Sequence, residues 1–245
     1  MIEAVKEIRH DTDFKAGALI LVNKPEGSTS FKIVKDIRFW IKKHYQIREK
    51  LKVGHAGTLD PLASGLLLVC TGKMTRNIST LQQTEKTYTG KFVFGTTTPS
   101  YDLETAADQH FPYHHLTEES LKETFAAFTG QLKQIPPLYS AVKVKGKRAY
   151  DLARKKDTTV ELEKKTVYVH EFELLSYKKP EAEFRIRCSK GTYIRALARD
   201  VGKHLGSGAY LKNLQRIAIG PYILSDAFSL EDLEKQIREA KQTPA

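Results

Sequence analysis

Apolar and polar positions along the chain fall into two rhythms, one of strands and one of helices. The run Ala18-Leu19-Ile20-Leu21-Val22 is short and wholly apolar, as in a buried strand, and Asn23 to Ser30 after it is turn-forming. Ile33, Val34, Ile37, Trp40 and Ile41 then recur at helical spacing, with Lys32, Lys35, Lys42 and Lys43 largely elsewhere. This predicts a helix to about His44, capped by Ser28 or Ser30, with Trp40 packed in the core. Leu66 to Cys70 reads as a second buried strand, and Thr87 to Gly95 alternates as a half-buried one. Thr96 to Asp108 is polar and turn-like. A helix opens at Thr117, turns Leu121, Phe125 and Phe128 inward and stops at Gly130.

Further along, Ile135-Pro136-Pro137 is a rigid entry to a strand and a basic turn ending at Lys147-Arg148, followed by a short helix over 149–156. Strands are predicted over Thr166 to Leu175 and Ala182 to Ser189. In the second, Phe184, Ile186 and Cys188 alternate with Arg185 and Arg187, giving one core face and one basic face. A helix follows from Ile194, with Leu197, Ala198, Val201 and Leu205 inward, to Gly206. Leu214 to Leu224 reads as a returning strand region, and Ser229 caps a last helix carrying Leu230, Leu233 and Ile237. No repeat, low-complexity block or long linker interrupts this order.

Charge changes the picture more than size does. The 245 residues carry 40 Lys and Arg against 29 Asp and Glu, a net +11, which points to a partner bearing phosphates or anionic lipid. No stretch has the length of a membrane span, and Met1 to Glu7 lacks the apolar core of a signal peptide. Cys70 and Cys188 sit in strand contexts without metal-ligand spacing, so they read as reduced core residues and the expected compartment is the cytoplasm.

The candidate chemistry lies in Gly54-His55-Ala56-Gly57-Thr58-Leu59-Asp60-Pro61-Leu62-Ala63-Ser64-Gly65. Glycines permit a tight loop, and Pro61 keeps Asp60 out of the helical region, so one carboxylate is held on a stiff segment. Such a group serves as nucleophile or general base, although Asp-Pro is also a common turn. Tyrosines among the lysines and arginines of 139–156 suit stacking and phosphate contact, and a solvated hairpin would have the same composition.

That loop together with Ser189-Lys190-Gly191-Thr192-Tyr193-Ile194-Arg195 resembles the TruB family of tRNA pseudouridine synthases. Val22-Asn23-Lys24-Pro25-Glu26-Gly27, Lys86-Thr87-Tyr88, Gln134 to Lys143 and Gly206 to Leu211 match in the family's order. The resemblance implies an α+β pseudouridine synthase fold: a mixed, mainly antiparallel sheet flanked by helices, with a basic thumb insertion at about 131–156. It implies one catalytic domain over 1–245, without the C-terminal PUA domain of many relatives. It implies isomerisation of a uridine in the T-loop of tRNA, at tRNA position 55, with no cofactor and no metal. Asp60 falls on the catalytic aspartate, Arg195 on the arginine that pairs with it and Tyr88 on the tyrosine that stacks on the flipped base. His55, Tyr193 and Leu214 match positions lining the nucleotide, and Lys24 is counted with the substrate-binding residues. Lys143, Lys145, Lys147 and Arg148 would grip the tRNA T-arm. No membrane and no obligatory protein partner is expected, and the protein is read as a monomer. Two rivals stay open: a guide-RNA-dependent synthase, and an RNA-binding or tRNA-folding module without catalysis.

Overall fold

The computed structural model describes residues 2–140, 143–144, 147–148 and 162–241. In chain order the elements are β1 (Leu19–Lys24), α1 (Ser30–His44), β2 (Val53–His55), β3 (Ala63–Thr71), α2 (Ile78–Gln83), β4 (Lys86–Phe94), β5 (Thr96–Thr97), β6 (Gln109–His110) and α3 (Glu118–Ala127). Then come β7 (Gly130–Gln134), β8 (Lys143–Val144), β9 (Lys147–Arg148), β10 (Lys165–Lys178), β11 (Glu181–Cys188), α4 (Ile194–His204), β12 (Ala209–Ile219), β13 (Tyr222–Ile223) and α5 (Leu230–Glu239). The chain forms two compact units, Met1–Lys86 with Gln215–Ala245, and Thr87–Leu214.

In the first unit β1 and β3 run antiparallel, with Leu19 opposite Cys70 and Lys24 opposite Gly65, and β2 pairs with the other end of β3. Both faces of these strands are covered, which is why their sequences are apolar without alternation. Ile20, Val22, Leu67 and Val69 face Ile33, Val34, Ile37 and Ile41 of α1 and Leu233 and Ile237 of α5. Leu19, Leu21, Leu66 and Leu68 pack on the opposite side with Ala56, Leu81, Ile219 and Tyr222. Each such side chain fully removed from water contributes roughly 1.5–3 kcal/mol, so this core holds the strand ends from which the loop bearing Asp60 springs. Trp40 packs against the α1 side of the core, as its spacing predicts. The helix cap differs from expectation: Thr29, between the two predicted serines, accepts from Lys32 N. Ser30 is drawn elsewhere, into the loop described below.

In the second unit the strand order is β4-β11-β10-β7, with β10 antiparallel to both β11 and β7. Phe92, Phe125, Phe172 and Phe184 stack and meet edge-on between these strands and α3. Phe184, Ile186 and Cys188 are buried, and on the opposite face Arg187 pairs with Glu171, as the alternation requires. The turn-like region 96–108 carries the small ladder of β5 with β6, and β7 extends the sheet where a helix stop alone is expected. The basic turn forms the β8–β9 hairpin, whereas Lys145 and the helix predicted over 149–156 lie outside the described residues. Among the described residues no helix is long and apolar enough to cross a membrane. Cys70 and Cys188 are buried and not joined in a disulfide.

Candidate active site

The segment from His55 to Gly65 leaves β2, crosses over and enters β3, all within the first unit. Three side chains hold it by its backbone. Ser30 at the start of α1 accepts from Leu59 N (2.9 Å) and donates to Leu59 O (3.1 Å), fixing the residue before Asp60. Lys24, wholly buried, donates to Pro25 O (2.9 Å), Ser28 O (2.7 Å) and Pro61 O (3.3 Å), tying the residue after Asp60 to the end of β1. Arg216, also fully buried, donates through Nε to Leu66 O (2.7 Å) and through Nη2 to Gly57 O (3.0 Å). Both stems of the loop are therefore held by one guanidinium.

Gly65 makes that crossing possible. Its φ is +104°, and a Cβ there would stand 2.4 Å from Arg216 O and 2.7 Å from Arg216 N. Gly57 also takes a positive φ, +96°. Gly54 has no positive φ, and a Cβ there would stand 2.8 Å from Ile78 Cδ1, the movable end of a side chain.

Three basic side chains share this region with two acids, Asp60 and Glu26. Burial pushes the Lys24 amine down to about 8; Asp60 and Glu26 oppose that shift, and the Arg216 charge adds to it. Burial and then Arg216 lower the pKa of His55, against the Gly57 backbone, so the imidazole is held toward its neutral form. Asp60 itself is half-buried.

The Lys24 shift sets a sign for stability. An unfolded lysine keeps its proton to about 10.5 while the folded one releases it near 8, so between these values the folded state binds fewer protons. Stability contributed by this residue therefore rises with pH across that window, and the full cost of the buried charge is present below it. Denaturant midpoints of the wild type and Lys24→Met should differ in slope, the wild type gaining about 1–2 kcal/mol on the variant between pH 7.5 and 9.5. Parallel pH curves would show that Lys24 is not the group responsible.

The second unit supplies the other predicted residues. Tyr193 caps α4 without a side-chain bond. It is latched by Gln134 of β7, whose Oε1 accepts from Tyr193 N (2.8 Å) and whose Nε2 donates to Tyr193 O (3.1 Å). The latch carries Arg195 inward, 4% exposed, although the first turn of a helix reads as surface. Its guanidinium donates to Ser100 O (3.2 Å) and Tyr139 O (2.9 Å), and its Nε lies 3.5 Å from Asp102 Oδ2. Asp102 is itself buried and takes hydrogen bonds from Ser100 Oγ (2.5 Å) and Glu104 N (2.9 Å). Two carbonyls and a carboxylate around this buried cation fix its position. Tyr88 is buried in β4 and Leu214 is half-buried in β12. Lys143, Lys147 and Arg148 fall on the β8–β9 hairpin.

The structure thus gathers Lys24, His55 and Asp60 in the first unit, and Tyr193 with Arg195 in the second. Sequence reasoning missed Arg216 and Asp102. The only signal for Asp102 is an acid in a polar turn, which is unspecific, and Arg216 gives none, since it sits among the exposed polar positions of a strand.

A family model for the N-terminal domain of the TruB family pseudouridylate synthases matches residues 42–194, and one for the tRNA pseudouridylate synthase B C-terminal domain matches residues 195–245. The chain belongs to the TruB family. Proteins named tRNA pseudouridine synthase B resemble this TruB chain over nearly their whole length. The one from Parabacteroides distasonis is 48% identical, covering 91% of this chain and 94% of its own. That from Flavobacterium johnsoniae is 45% identical over 92% and 98%. Among solved structures, a Cbf5-Nop10-Gar1 complex contains a chain 28% identical with a TM-score of 0.68, covering 93% of this chain and 60% of that one. An H/ACA RNP bound to a substrate RNA containing 2′-deoxyuridine contains one 26% identical with a TM-score of 0.64, over 91% and 53%. This TruB chain spans little more than half of those solved chains, and its pseudouridine synthase fold is shared with them.

Proposed function

We propose that this chain isomerises a uridine in the T-loop of tRNA, at tRNA position 55, to pseudouridine, in the cytoplasm and with neither a cofactor nor a protein partner. The observation that carries this reading is a loop immobilised on both sides of Asp60, in a chain that matches full-length synthases at 45–48% identity. That coverage also favours a free-standing tRNA enzyme over a guide-RNA-dependent one.

The chemistry needs a carboxylate and a place for one base. Asp60 either attacks C1′ and displaces uracil from N1, or takes the ribose 2′-proton to expel it. The uracil turns and C5 bonds to C1′, breaking the Asp60–C1′ bond on the first route or with return of the proton from Asp60 to C2′ on the second, and the C5 proton leaves while N1 regains one. Arg195 is carried over from the family resemblance as the cation that pairs with Asp60, a role beyond its contacts with Asp102, Ser100 O and Tyr139 O. Tyr88 offsets the lost stacking of the extruded base, an expense of a few kcal/mol. His55, Tyr193 and Leu214 wall the nucleotide, and Lys143, Lys145, Lys147 and Arg148 hold T-arm phosphates. Lys24 is assigned here to the loop rather than to the RNA, because its amine is spent on three carbonyls.

A tRNA transcript tritiated at uracil C5 tests the reading. One label released per tRNA is expected at completion. RNA binding without release would make the protein a binding or folding module.

A further inference from the structure

A second basic feature lies on the first unit. Between α1 and the segment leading into β2 is a groove of about 380 Å³ lined by Arg38, Lys42, Lys50 and Lys52, with Gly54 at one end. A hollow of about 460 Å³ adjoins it, sharing Arg38 and Lys42 and adding Lys35, Lys43 and Phe39. Among the described residues no carboxylate lines either. The nearby acids are engaged elsewhere, Asp36 with Lys32 (2.6 Å) and Glu49 with Lys15 (2.5 Å). Six cations gathered here repel one another, and a bound anion relieves that cost.

Two details narrow the ligand. Arg38 spends Nη2 on Val53 O (2.9 Å), while its Nε is buried without a hydrogen-bond partner. A guanidinium N–H left unpaired is costly and is suited to a phosphate oxygen. Phe39 is 60% exposed beside these lysines, with Lys43 Nζ 5.9 Å from its ring centre, and Phe31, 70% exposed, lies two helical turns away. Cations that track a backbone, interleaved with open aromatic faces, are the composition of an unpaired-strand RNA surface rather than of a lipid-binding one. One end of the groove is Gly54, which directly precedes His55 in β2.

We propose that this groove is a second RNA site, which takes phosphates of the substrate strand running to the candidate active site, with Phe39 offering a stacking face to an unpaired base. The proposal rests on tRNA being the substrate. Arg38 clamps one phosphate, Lys42, Lys50 and Lys52 follow the backbone, and the contacts add affinity without touching the reacting nucleotide.

The test is fluorescence anisotropy of full-length tRNA between 50 and 200 mM KCl, with C5-tritium release by the wild type measured in parallel. Lys50→Gln with Lys52→Gln, both at exposed positions, should lower affinity and reduce the slope of log K against log salt by about 1.5, two phosphate contacts' worth. Phe39→Ala should weaken binding ~5-fold or more with little change in slope. Arg38→Gln should weaken it as well, and the surface variants keep the answer clear if that protein folds poorly. An active wild type whose surface variants match it in affinity and slope overturns the groove alone. An inactive wild type whose variants lose RNA overturns the catalytic reading and leaves the groove standing. Variants that lose only phosphatidylserine vesicles, and not tRNA, make the surface a lipid site and overturn the proposal.

Discussion

Replacing Asp60 by Asn is expected to slow isomerisation by at least ~10³-fold while tRNA affinity stays close to that of the wild type. The substitution is nearly isosteric, and three side chains hold the loop through its backbone. Ser30 engages Leu59, Lys24 engages Pro61 O, and Arg216 engages Gly57 O and Leu66 O. The loop therefore keeps its path when the acid is lost. An amide neither attacks C1′ nor takes the 2′-proton, so both routes fail together. Affinity has no reason to fall, because removing a negative charge beside bound phosphate reduces repulsion. Single-turnover tritium release measures the first effect and anisotropy the second. Activity retained to within ~10-fold would mean that another group does the chemistry, and a large loss of affinity would place Asp60 in binding instead.

Much of the fold is legible because both rhythms are enforced by burial. Ile33, Val34, Ile37 and Ile41 predict α1 and its last residue, His44, because one face must meet β1 and β3. Phe184, Ile186 and Cys188 predict β11 for the same reason. Short edge structure is less legible. The strand β7 has few apolar residues, and its course is set by pairing with β10, whose register lies more than 30 positions later. The cap of α1 is ambiguous in a run of three hydroxyls, and only the demand of Leu59 for Ser30 leaves Thr29 to do it.

The candidate site divides along a similar line. Asp60 stands out because glycines and a proline frame it, a local signal. Arg195 looks like a surface cation until Gln134 latches the helix start and Asp102 receives the guanidinium, contacts that no spacing encodes. Its assignment as the partner of Asp60 comes through the family resemblance alone, and its contacts described here are with Asp102, Ser100 O and Tyr139 O. Asp102 and Arg216 had neither kind of signal. Both are polar residues whose role is fixed by distant backbone, which is why they emerge only in three dimensions.

Arg216 carries the other large effect. Arginine is rarely buried fully, yet here it is, its donors turned on two carbonyls 150 and 159 positions away in the chain. Arg216→Met keeps most of the volume and removes both bonds. Each stranded acceptor costs roughly 1–3 kcal/mol, and relief of the buried charge offsets part of it, so a net loss of about 2–3 kcal/mol is expected. For a chain of this length that is a fall in Tm of ~5–10 °C. The catalytic effect should be separate from the loss of stability. With both stems of the loop released, Asp60 moves relative to the nucleotide, and a displacement of ~1 Å is enough to cost ~10²-fold in kcat. KM for tRNA should change little, since the phosphates are held elsewhere. Arg216→Lys retains the charge but cannot span two carbonyls as a planar fork does, so it should recover most of the stability and only part of kcat. Assayed well below the unfolding transition, a kcat that follows the number of loop bonds at constant KM marks Arg216 as a positioning residue. A Met variant that loses stability but keeps kcat would confine it to the fold.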